Sequence, residues 1–249
     1  MYEEAIEAFE FAFIINSDLD PAYYYCAEVY LLQGIYSKAI EIYDQMLDRF
    51  HVIKPEVYIN LAECHIRTGN SNLALGYLKF AFVLDEDAQI SFLTAEAYKN
   101  LNKFDQAFHY YFEALKIDDT REDIHIHLAI LYFERCDFSS SAYHFNLGVN
   151  LAPYMSENWI SYASLFVNIG EIKEAEAILK RGLEYNYDAR LLFCQAACHI
   201  LLEKKKTGIS LMDEALNLDI NQQDVIFAFA GELRNDINVQ AILKYYNGE

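Results

Sequence analysis

Glycine and proline are scarce, nine and three in 249 residues, against averages of about 7% and 5%. An all-β sandwich or barrel needs many tight turns and would use more of both, so helices are favoured. Basic residues are also few: 19 Lys and Arg against 38 Asp and Glu leave a net charge of −19. That field repels a nucleic-acid backbone or an anionic membrane surface, so neither is expected as a partner. No apolar run approaches the roughly 18 residues that a membrane helix requires. The five cysteines, Cys26, Cys64, Cys136, Cys194 and Cys198, are odd in number and scattered. They fit reduced core thiols in a cytoplasmic compartment better than a secreted disulfide framework. The opening Met1-Tyr2-Glu3-Glu4 is no signal peptide, although a targeting segment further upstream would not be visible. So large a net charge does not mean disorder here, because 54% of the residues are hydrophobic.

What is present is repetition. Small residues recur at Ala27, Ala62, Ala95, Ala129, Ala163 and Ala196, spaced 35, 33, 34, 34 and 33 apart. Twelve residues after each stand Ala39, Ala74, Ala107, Ser141, Ala175 and Gly208, and seven further on Met46, Ala81, Ala114, Gly148, Gly182 and Ala215. Large residues keep the same phase. Three after the first small residue come Tyr30, His65, Tyr98, Tyr132, Phe166 and His199; four before it come Tyr23, Tyr58, Ser91, His125, Trp159 and Leu192. Offsets of three, four and seven mark one face of a helix. Between the two halves of each unit lies Gly34, Gly69, Asn102, Cys136, Gly170 or Glu203, and Gly or Asn there suits a left-handed helix stop. Each unit therefore reads as two antiparallel helices whose small residues allow close approach. A single pair cannot bury its apolar face, but a stack can.

This pattern resembles the tetratricopeptide repeat (TPR) family. Trp159, Tyr162-Ala163, Phe166, Gly170, Ala175 and Leu179 match its signature, as do Asn60-Leu61-Ala62-Glu63 with Gly69 and Ala74, and Ala95, Tyr98, Phe104, Ala107, Tyr111 and Ala114. The resemblance implies an all-α, right-handed superhelical solenoid of stacked antiparallel helix pairs. On this reading residues 1–249 form a single repeat domain. It holds a half-repeat at 2–15, pairs at 20–53, 55–86, 88–119, 122–152, 155–187 and 189–220, and a degenerate closing pair at 222–246.

Chemistry-bearing clusters have plainer explanations. Asp85-Glu86-Asp87 with Glu96 lacks the glycine that a calcium loop needs at its sixth position, which is Ile90 here. Carboxylates at a repeat junction suit helix starts, and Ser139-Ser140-Ser141 reads as a cap. Cys194, Cys198 and His199 lack the second ligand pair of a structural zinc site. His125 takes a core position and His127 points elsewhere. No phosphate loop, G-x-S-x-G elbow or H-E-x-x-H helix occurs. No enzyme activity, cofactor or metal is expected.

The family's architecture places four first-helix positions on a concave groove. Those three before the small residue are Tyr24, Ile59, Phe92, Ile126, Ile160 and Phe193. Those one after begin Glu28, Glu63, Glu96 and Ile130, and Phe133 lies four after Ala129. An apolar ladder flanked by a glutamate row favours a peptide or helix carrying apolar and basic residues. The Lys and Asn clamp with which some family members hold acidic chaperone tails is absent. The expected function is a non-enzymatic protein-interaction scaffold. Alternatives are a regulatory or substrate-recruiting module cut from a larger enzyme, and an adaptor that self-assembles through the open N-terminal half-repeat.

Overall fold

The computed structural model describes residues 2–50 and 54–248. The sequence-based limit of the first full pair, at residue 53, lies outside the described residues. Fifteen α-helices, two 3-10 turns and no strand occur among the described residues, and the chain divides into two compact units, Met1–Asp119 and Thr120–Glu249. The first unit holds α1 (Tyr2–Ile15), α2 (Asp20–Leu32), α3 (Tyr36–Phe50), α4 (Pro55–Arg67), α5 (Ser71–Leu84), α6 (Ala88–Asn100) and α7 (Phe104–Ile117). The second holds α8 (Glu122–Glu134), α9 (Phe138–Leu151), α10 (Ser156–Asn168), α11 (Ile172–Tyr185), α12 (Ala189–Leu201) and α13 (Lys205–Leu218). It ends with α14 (Val225–Phe229), flanked by 3-10 turns at Ile220–Gln222 and Gly231–Asn235, and α15 (Ile237–Asn247).

Within each unit the helices pack as consecutive antiparallel pairs. α2 lies on α3, α4 on α5 and α6 on α7; in the second unit α8 lies on α9, α10 on α11 and α12 on α13. Each second helix also meets the first helix of the next pair in its unit. The small-residue series explains the closeness. Ala27, Ala62, Ala95, Ala129, Ala163 and Ala196 are all fully buried, and so are Ala39, Ala74, Ala107, Ser141 and Ala175 opposite them. Ser141 is accommodated because its hydroxyl donates to the Ala129 carbonyl at 2.7 Å, which satisfies a buried polar group. Ser139–Ser141 do not cap α9 as the sequence suggested: Asp137 does, accepting from the Ser140 amide at 3.1 Å.

The turn inside every pair is the same device. Gly34, Gly69, Asn102, Cys136, Gly170 and Glu203 all have positive φ, between 57° and 84°. In each case the next residue's amide returns to the carbonyl of the large residue three after the small one, for example Asn70 to His65 at 2.7 Å and Glu171 to Phe166 at 2.8 Å. That bond satisfies a carbonyl the helix would otherwise leave unpaired. A side chain in this backbone region carries a steric cost that glycine does not. Cys136→Gly is therefore expected to stabilise the second unit by about 0.5–1 kcal/mol, read as a higher urea midpoint.

The ends depart from the repeat. α1 packs against α2, and Phe11, Ile14 and Ile15 on its outer side are exposed. In the second unit the five-residue α14 packs on α12 and reaches α10, while α15 lies against α13. Ile226, Phe229, Leu233, Val239 and Leu243 thereby join the core of that unit.

Candidate functional site

Tyr24, Ile59 and Phe92 stand on α2, α4 and α6 and are half-buried. They form a partly accessible apolar and aromatic row in the first unit. Tyr24 meets Tyr43 edge-on at 6.2 Å, and Tyr43 accepts a hydrogen bond from Asn60 at 2.8 Å. Burial, and then Glu28, raises the Tyr24 phenol above its ordinary pKa. A depression of about 270 Å³ opens among Pro21, Tyr24, Tyr25, Lys54 and Glu56.

Glu28, Glu63 and Glu96 are half-buried beside this row, but they are not equivalent. Glu63 faces Arg67 at 3.6 Å one helical turn on. Glu96 faces Lys99 at 3.5 Å and also accepts from the Tyr111 hydroxyl. Glu28 has no ion pair among the described residues. Two of the three carboxylates thus already have cations supplied by their own helices, at the i,i+3 and i,i+4 spacings where such pairs form.

The second unit presents a different surface. Ile130, Phe133 and Ile160 are half-buried and line a depression of about 230 Å³ with Ser161, Ser164 and Asn168. Ser164 donates to the Ile160 carbonyl at 2.8 Å, so its hydroxyl is held along the helix. Ile126 sits differently. A Cβ added at Gly148 would lie 2.6 Å from Ile126 Cδ1, so this side chain packs onto its own second helix and is only 8% exposed. Its predecessor, His125, leans away to His144, with Nδ1 to Nδ1 at 3.0 Å. In the next pair Trp159 itself covers Gly182 and Ile160 stays at the surface. Phe193 offers nothing to a ligand, being fully buried. So are Ala197, and nearly so Ile200, on the same helix. α14 lies over α12 and reaches α10, and its Ile226 and Phe229 share the core cluster of Phe193.

The remaining polar residues serve the interior. Burial, and then His125, lowers the His144 pKa to about 4, so its ring is neutral at neutral pH. Cys26, Cys64, Cys194 and Cys198 are buried and free. Burial pushes Cys26 up to about 11, and Cys64 and Cys198 up to about 12. Such thiols stay protonated and make poor nucleophiles. No group of three or more His, Cys, Asp or Glu suited to a metal ion occurs among the described residues. No helix among them is long and apolar enough to cross a membrane.

Against this geometry the relatives can be placed. Residues 88–121, which comprise α6 and α7, match the tetratricopeptide repeat family. No curated protein matches the chain by sequence. A solved tetratricopeptide repeat protein from Parabacteroides merdae aligns over 99% of this chain and 92% of its own, with a TM-score of 0.65 at 15% identity. A thermophilic TPR protein from Thermus thermophilus aligns over 67% of this chain and 91% of its own, at 0.58 and 23%. The Cut9–Hcn1 hetero-tetramer of the APC/C contains a chain that aligns over 99% of this one and 46% of its own, at 0.65 and 15%. The protein is an all-α helical-repeat protein. It carries a tetratricopeptide repeat and has the fold of tetratricopeptide-repeat proteins.

Proposed function

We propose that the chain is a non-catalytic scaffold that binds a protein partner through the first-helix faces of its units. Proteins with this fold are generally interaction scaffolds, and one neighbour is solved as part of a hetero-tetramer. The observation that carries the reading is the half-exposed apolar face: Tyr24, Ile59 and Phe92 in one unit, and Ile130, Phe133 and Ile160 in the other. Apolar side chains left partly in water on successive first helices, at equivalent positions in the first unit and beside a shared depression in the second, suit an amphipathic helix or extended segment.

The acidic row adds less than its three charges suggest. Glu63 and Glu96 have their own cations, which a basic group on the ligand would have to displace. A basic group on the ligand would be met chiefly by Glu28. The partner is accordingly an apolar segment with one cation, rather than a strongly basic one.

A displayed random-peptide library selected on the intact chain tests this. Selected peptides should be rich in Leu, Ile and aromatics. Replacing Ile130, Phe133 and Ile160 together by Ser should weaken those docked on the second unit about tenfold or more, and Tyr24, Ile59 and Phe92 should play that part in the first. Binders indifferent to both triple variants, with the fold intact by circular dichroism, would remove the first-helix faces from the function.

A further inference from the structure

Between the two helices of a pair stands a column of rings, two from the first helix and one from the second, that is complete in two pairs and broken in a third. In the α4–α5 pair, His65 stacks on Tyr77 at 5.5 Å and 7°, and Tyr77 meets Tyr58 at 6.4 Å. In the α8–α9 pair, Tyr132 stacks on His144 at 5.4 Å and 12°, and His144 meets His125 at 5.3 Å. The α6–α7 pair repeats the first contact: Tyr98 stacks on Tyr110 at 5.4 Å and 16°. The third ring is missing, because the position held by Tyr58 and His125 is Ser91. Trp159, Leu192 and Tyr23 occupy it in the other pairs, so Ser91 is the sole small residue of the series.

The space has not collapsed. A cavity of about 320 Å³ lies where the third ring would stand, bounded by Ser91, Tyr110, Leu75, Leu78, Phe82 and Ile90. Its exposed lining residues, Lys79 and Phe82, both belong to α5 and mark its mouth. Thr94, also in the wall, donates to the Ile90 carbonyl at 2.7 Å and is satisfied. Ser91 has no side-chain hydrogen bond and Lys79 no ion pair among the described residues. Lys79 is thus a cation at an apolar mouth with its charge available to an anionic group.

We propose that this slot is a binding site for an aromatic side chain of a partner protein, flanked there by a carboxylate. The ring stacks on Tyr110 as the third member of the column. Ser91 offers a hydrogen bond to a phenol or indole edge, and Lys79 meets the acid at the mouth. Aromatic anchors seated in preformed pockets carry much of the energy at protein interfaces. The site lies apart from the first-helix faces and does not depend on the function proposed for them.

Two small probes, 3-phenylpropionate and 3-phenylpropanol, test the slot on the full chain by methyl and amide NMR. The wild type should show saturable shifts at Leu75, Leu78 and Thr94 with either probe. The carboxylate should bind about threefold more tightly than the alcohol, and Lys79→Gln should abolish that difference. Ser91→Tyr supplies the missing ring from within. It should raise the melting temperature and weaken both probes by at least about tenfold. If Ser91→Tyr does not fold, Ser91→Leu, the residue type found at position 192, blocks the slot in its place. Absence of saturable shifts in the wild type overturns the proposal, and so do shifts that persist in the blocked variant. Equal affinity for the two probes overturns the carboxylate.

Discussion

Trp159→Ala is expected to destabilise the second unit by about 3–5 kcal/mol, measured by urea unfolding followed by circular dichroism. Trp159 is fully buried. Its indole Nε1 donates to the Pro153 carbonyl at 2.8 Å, its ring stacks near Tyr185 at 5.9 Å and 16°, and the Arg181 guanidinium lies 5.2 Å from the ring centre. Truncation removes all three contacts and leaves a cavity in the middle of a pair. Trp159→Phe should cost less, about 1–3 kcal/mol, since most of the volume stays while the Pro153 carbonyl loses its donor. Gly182 makes the test specific. A Cβ there would lie 2.8 Å from Trp159 Cγ, so Gly182→Ala alone should destabilise by overpacking, about 1–3 kcal/mol. In the Trp159→Ala background the same change has room, and alanine is favoured over glycine in a helix by about 1 kcal/mol. The sign of Gly182→Ala should therefore reverse between the two backgrounds. Additive effects would mean that the indole does not rest on the second helix.

The repeat was legible because it depends only on contacts every pair makes with itself and its neighbour. A fixed spacing of small residues reports close helix approach whatever lies outside the stack. The helix stops were legible for the same reason, even at Cys136 and Glu203, whose residue types do not favour a left-handed backbone but whose positions do. The groove was less legible, because exposure is decided by what arrives from elsewhere. Ile126 and Ile160 share a residue type and a repeat position, yet only Ile160 is half exposed. The difference lies one residue earlier: Trp159 fills the space over Gly182, whereas His125 turns to His144 and leaves the space over Gly148 for Ile126. The weight of the glutamate row depends on its neighbours: Arg67 and Lys99, a turn away on the same helices, pair with two of its three members. Ser91 was visible in the sequence as the small member of a large series. That its space remains open required coordinates, since a neighbouring side chain could have filled it.

The sharpest division between a groove residue and a core residue is expected at equivalent positions on α2 and α12. Phe193→Ala should destabilise the second unit by about 3–5 kcal/mol, while Tyr24→Ala, at a half-exposed site, should cost the first unit only about 1–1.5 kcal/mol. The cause is α14, a five-residue apolar segment, Val-Ile-Phe-Ala-Phe, that is too short to be stable alone. Its order comes from Ile226 and Phe229, which are buried in the same core cluster as Phe193. Removing the Phe193 ring should therefore loosen α14 before it unfolds α12, whose N-terminus is held by the Asp188 carboxylate accepting from the Arg190 amide at 2.7 Å. Hydrogen exchange separates the two events. Amides of residues 226–230 should exchange faster in Phe193→Ala under native conditions, while those in the middle of α10 keep their protection. Ile226→Ala should reproduce that pattern, and the double variant should lose less stability than the sum of the two singles, since each removes support from one shared cluster. Uniformly faster exchange across α10 to α13 would instead make Phe193 a general support of the stack. Unchanged exchange in α14 would mean that something other than this short helix keeps the last first-helix face out of water.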